Sequence, residues 1–161
     1  MRKYKLDEAE ITSSTEREID FYHNGTVGFT SAHPQHPIEN LFDKDLETFW
    51  SSGRDNATEQ ILISFDAPCS LTRIVYEVIE RDIERTQEIH VELSTDGELF
   101  RRMFVQDYVF SPSGATYEKQ EIKLEARDVA QIRLTVIPNK NGVGRAKLTS
   151  LRVFAWDQVT I

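Results

Sequence analysis

Four oxygen-bearing side chains, Asn40, Asp43, Asp45 and Thr48, fall within nine residues at the start of Asn40-Leu-Phe-Asp-Lys-Asp-Leu-Glu-Thr-Phe-Trp50. A hard cation such as calcium takes roughly six to eight oxygens from carboxylates, hydroxyls and backbone carbonyls, and one folded loop can present them together. The same residues also suit a purely structural loop, with Asp43 capping a turn and Thr48 hydrogen-bonding to backbone. Both uses stay open on the sequence. Zinc has less to work with: His33 and His36 stand three apart, and no cysteine or further histidine accompanies them at a zinc-ligand spacing. Catalytic signatures are missing. There is no Gly-x-Ser-x-Gly elbow, no phosphate-cradling glycine loop and no His-Glu-x-x-His. In so acidic a chain, carboxylate pairs arise without meaning, and spacing nominates no acid–base couple. The chain reads as a binding protein, not an enzyme.

The elements that must position these residues are strands. In Gln87 to Ser94, residues Ile89, Val91 and Leu93 face one way, and Glu88, His90 and Glu92 the other. Ile132, Leu134 and Val136 repeat the pattern, as do Glu121 to Glu125 and Ile61, Ile63 and Phe65. Strict alternation means one packed face and one wet face, the mark of antiparallel sheets. Further strands are predicted over Leu71 to Glu80, Leu99 to Phe110 and Leu148 to Trp156, with weaker ones at Ile19 to Tyr22 and Val27 to Thr30. Asp96-Gly97 is a hairpin turn, and Ser111 to Gly114 and Pro138 to Gly142 are loops. One or two helical turns are expected after Pro37. Many short strands without alternating helices indicate a sandwich or barrel.

At 161 residues the chain suits one domain with a real core. A formal charge of −8, spread along the chain, argues against nucleic acid and against an anionic membrane surface as partners. No segment is apolar enough to insert into a membrane, and the start Met1-Arg-Lys-Tyr-Lys lacks an apolar signal region behind it. A cytoplasmic location follows for the chain as given, and an extracellular one if it is a domain of a longer secreted protein. Cys69 is the single cysteine and reads as a quiet structural thiol.

The stretch Asn40 to Trp50 resembles the signature loop of the discoidin, or coagulation factor 5/8 type C, family, with Lys44 where that pattern has glycine. Thr30 to Pro37 resembles the small-residue loop that leads into it. Ser94-Thr-Asp-Gly97 with Phe100, Ala126 to Arg133 and Leu148 to Phe154 resemble later landmarks in the expected order. The resemblance covers about Thr30 to Trp156. It implies an all-β, antiparallel jelly-roll sandwich of about eight core strands, galactose-binding-domain-like, over residues 26–161, with residues 1–25 as an N-terminal extension. It also implies a binding module without chemistry of its own, with Trp50 packed inside.

In that family the signature loop often holds a structural calcium ion, which carries the role to Asn40, Asp43, Asp45 and Thr48. Calcium-binding members often add a glutamate from the last strand, where this chain has Ser150. Ligands of the fold sit on loops at one end of the sandwich. Here those loops offer His33, Arg54, Glu80, Arg81, Asn139 and Asn141, planar groups with several donors or acceptors suited to sugar hydroxyls. The stacking aromatic that galactose-binding relatives carry is missing from Asn139 to Arg145. Carbohydrate is therefore the expected partner. The alternative is an intracellular protein–protein scaffold subunit, which an exposed Phe154 or Trp156 would favour.

Overall fold

The alternation in the sequence is realised as nine strands in a computed structural model that describes residues 1–5 and 15–157. They are β1 (Glu16–Glu18), β2 (Gly25–Phe29), β3 (Trp50–Ser51), β4 (Glu59–Ile79), β5 (Arg85–Ser94), β6 (Arg101–Phe110), β7 (Tyr117–Ile137), β8 (Lys147–Leu148) and β9 (Ser150–Trp156). Two long strands organise the sandwich. The first part of β4, Glu59 to Ser64, pairs with β2 and with the end of β7. Its second part, Leu71 to Ile79, pairs with β9 and with the start of β7. β5 and β6 extend the first layer, and β1 edges the second through β9.

The passage between layers is written in side-chain parity. Odd residues Glu59, Ile61 and Ile63 are buried before the register breaks around Cys69, and even residues Ile74, Tyr76 and Val78 after them. A one-residue slip swaps the faces of a strand, so the bulged region at 64–73 lets one strand serve the core from both layers. β7 turns at Asp128, which takes a left-handed φ of 54°. Between the layers, Ile61, Ile89, Ile132 and Leu134 meet Ile74, Tyr76 and Val153, all essentially without solvent contact. The Tyr76 and Tyr108 hydroxyls bond to each other at 2.5 Å, and Tyr108 also donates to Gln120, so both of these buried hydroxyls are satisfied.

Three expectations change. Ile19 to Tyr22 is not a strand: Asp20 accepts from the Tyr22 N–H and caps a helical turn, α1 (Phe21–Asn24). The predicted strand from Leu99 starts two residues later, because the Asp96 carboxylate holds the N–H groups of Glu98 and Leu99 in the turn. Leu148 to Trp156 is broken at Thr149, whose hydroxyl accepts from the Ile79 N–H. The expected helical piece after Pro37 is a 3-10 turn, η1 (Ile38–Phe42). Of the N-terminal extension, residues 6–14 lie outside the described residues, and β1 joins the sheet through β9. No described helix is long and apolar enough to cross a membrane.

Candidate functional site

The loops at one end of the sandwich are bolted together by backbone hydrogen bonds. The His33 N–H donates to the Ser51 carbonyl at 2.8 Å, and the Ser51 N–H returns to His36. Ser52 joins the next loop through its N–H and hydroxyl, both paired with Ala146. The 51–56 turn lies so close to Ala32 that a β-carbon on Gly53 would stand 2.9 Å from that carbonyl oxygen, which accounts for the glycine. Loops are the usual carriers of function, and these are held rigidly enough to keep a shape.

Between them lies a shallow cleft of about 290 Å³. Its base is a buried ion pair. Arg85 donates to Glu80 at 2.8 and 2.5 Å, and also to the carbonyls of Pro138 and Arg145. Lys147 approaches the same carboxylate at 3.6 Å. One wall is a stack of rings. His36 lies nearly parallel to Phe49, 4.0 Å between centroids, and His33 tilts against His36 at 5.2 Å. The Lys147 ammonium sits 4.2 Å over the Phe49 ring. A stacked ring and a cation this close cannot share one face, so the two faces of Phe49 carry one each. Burial, reinforced by His33 and Lys147, pushes the His36 imidazole below its ordinary pKa and favours the neutral ring.

Of the residues chosen from sequence, His33 and Glu80 line this cleft together. Glu80 is almost wholly buried and serves Arg85 and Lys147. Arg54 stands to one side, its guanidinium engaged with the buried Glu59 at 3.0 and 3.1 Å. Burial pushes the Glu59 carboxyl up, but Arg54, Thr30 and Ser31 together hold it below the usual range. Arg81 is exposed in the turn after β4. Asn139 shapes its own loop: its Oδ1 accepts from Thr86 and Asn141, and its Nδ2 donates to Val143. Asn141 is exposed and donates to the Thr86 hydroxyl. Phe49 and Lys147 are not among the residues chosen from sequence, and His36 is weighed there only as a zinc ligand beside His33. Phe49 carried a signal, since alternation beside an inward Trp50 points it outward. Trp50 itself has no solvent contact, and its indole N–H donates to Ser31.

The Asn40 to Thr48 loop closes on itself. Asp43 accepts from the Asp45 N–H, Asp45 from the Glu47 N–H, and Asn40 donates to the Phe49 carbonyl. The Thr48 hydroxyl meets both an Asp43 carboxylate oxygen and the Asp45 carbonyl. Carboxylate, hydroxyl and carbonyl oxygens thus converge, the donor chemistry of a hard cation. The count is low: among the described residues no three His, Cys, Asp or Glu side chains form a metal-ligand group. Lys44 adopts the left-handed φ of 61° that glycine would take freely, and its ammonium lies 3.4 Å from Glu18.

The F5/8 type C domain model matches residues 10–149. Solved structures of similar shape include the family 32 carbohydrate-binding module of Clostridium perfringens NanJ in complex with galactose. That module is 16% identical, with a TM-score of 0.60 over 87% of this chain and 99% of that one. The family 32 module of AlyQ, in complex with 4,5-unsaturated mannuronic acid, is 18% identical with a TM-score of 0.63, over 85% and 97% of the two chains. A family 32 module from a C. perfringens family 31 glycoside hydrolase is 21% identical with a TM-score of 0.63, over 96% and 100%. No curated protein sequence matches this chain.

Proposed function

Because the chain belongs to the F5/8 type C domain family, we propose that it is a non-catalytic carbohydrate-binding module with its sugar site in the cleft between His33, Phe49 and Lys147. The ring stack carries this reading. Sugar recognition needs an aromatic surface for the C–H face and planar polar groups for the hydroxyls, and the cleft has both on a rigid frame. His33 and Arg145 offer donors at the rim, Asp82 an acceptor, and Lys147 a cation. A sugar that takes the Phe49 face occupied by Lys147 displaces the ammonium, which then reaches a hydroxyl or carboxylate of the ligand. The buried Glu80–Arg85 pair fixes the walls and does not touch the sugar. The sugars named with the NanJ and AlyQ modules support the ligand class.

The Asn40 to Thr48 loop is the proposed seat of a calcium ion, held by Asp43, Asp45, Thr48 and the Asp45 carbonyl, with Asn40 fixing the exit of the loop. The ion would supply rigidity and charge balance, no chemistry.

A glycan array read with and without calcium, followed by calorimetric titration of the best ligand, tests the sugar reading. Binding that Phe49→Ala and Lys147→Ala weaken is expected. Full binding by both variants, or silence across the array, overturns it.

A further inference from the structure

We propose that the outer face of the second layer carries a separate saccharide site, built on Trp156 and suited to neutral, hydroxyl-rich chains. Along β9 the outward residues are Arg152, Phe154 and Trp156. Phe154 is covered by the guanidinium groups of Arg73 at 3.7 Å and Arg152 at 5.1 Å, and is buried. Trp156 keeps 45% of its surface in solvent. It borders a groove of about 920 Å³, larger than the loop-end cleft, that crosses β9, β4 and β7.

The charges of this groove select its ligand. Glu16, Glu121 and Glu125 face Arg73, Lys123 and Arg127, three anions against three cations, in a chain of formal charge −8. Arg73 is clamped between Glu16 at 2.8 Å and Glu121 at 3.3 Å. The balanced charges offer donors and acceptors, with Arg73 held in place, but no net field, so the groove favours hydroxyls over phosphates, sulfates or uronates. An exposed indole beside it supplies the stacking face. A protein partner would want a contiguous apolar patch, and this groove presents one large exposed ring. Arg73 in β4 and Glu80 just past its end are seven positions apart, roughly 23 Å at strand rise, so the groove and the cleft bind independently.

The two tryptophans make the test direct. Trp50 has no solvent contact, so acrylamide quenching of the folded protein reads Trp156. Soluble galactan, galactomannan, xyloglucan and mixed-linkage β-glucan serve as probes, with polygalacturonate as the acidic control. Quenching is paired with affinity electrophoresis of the wild type, Trp156→Ala and the cleft variant Phe49→Ala/Lys147→Ala. At least one neutral chain is expected to shield Trp156 and retard the cleft variant, and Trp156→Ala to weaken that retardation about tenfold. Quenching unchanged by every probe, or retardation indifferent to Trp156→Ala, overturns the proposal. Loss of all binding in the cleft variant alone sinks this site and leaves the cleft reading standing. Binding lost only in Trp156→Ala does the reverse.

Discussion

Replacing Glu80 with glutamine tests whether the cleft rests on its buried ion pair. The Arg85 side chain is 6% exposed and Lys147 13%, and both are paired to this one carboxylate. Glutamine keeps the shape and one acceptor but removes the charge. Breaking a buried pair from one side typically costs about 3–5 kcal/mol, because the partner stays desolvated and uncompensated. The Arg85 bonds to the Pro138 and Arg145 carbonyls soften the loss, which places the expectation near 3 kcal/mol. For a domain of this size that is roughly a 6–12 °C fall in Tm. Urea unfolding followed by tryptophan fluorescence measures it, with the slope checked for constancy. The double variant Glu80→Gln/Arg85→Met removes the stranded charge and should recover about half of the loss. A Glu80→Gln cost under about 1 kcal/mol would refute the reasoning, since it would mean that the pair is screened like a surface bridge.

Trp50→Ala should cost about 3–5 kcal/mol, read by the same unfolding assay, because it empties the centre of the core. The depressed pKa of His36 means that the unfolded chain takes the proton first. Stability should therefore fall as pH drops below about 6.5, and His36→Gln should flatten that part of a Tm-against-pH curve. Phe49→Ala should weaken the cleft's sugar by about 0.5–1.5 kcal/mol in calorimetry, with Tm changing less than in Trp50→Ala. Calcium should raise Tm with an apparent Kd on the order of 10⁻⁴–10⁻³ M, reflecting so few carboxylates, and Asp43→Asn should abolish the rise. Chelator-insensitive stability would remove the ion from the loop.

The strands were legible wherever a face alternates, as in β5, where Ile89, Val91 and Leu93 are buried as read. Trp50 is legible as core for a different reason, the resemblance of Asn40 to Trp50 to a family loop whose tryptophan packs inside. What escaped was tertiary. Glu80 is chosen from sequence as a planar polar group on a ligand-end loop, and its burial on Arg85 has no local signal. Its partner Arg85 sits five residues on at the start of another strand, and only the closed sandwich brings Pro138 and Arg145 over both. Arg54 is chosen from sequence as a sugar-binding group, and the sequence does not announce that Glu59 holds it from the buried start of β4. Phe49 was lost between an expected loop and an expected core residue. β1 could not be seen at all: three polar residues find partners about 140 positions away, and no local pattern announces that.

That last pairing has a practical side. Glu16 lies opposite Trp156, so β1 begins where β9 ends, beside the Trp156 groove and away from the Phe49 cleft. A tether attached at the start of β1 or at the end of β9 would therefore press the same face against whatever surface it anchors. Immobilised protein would present the cleft outward and shade the groove, whereas free protein would offer both. Surface-bound and solution measurements on this molecule would then be reporting on different sites.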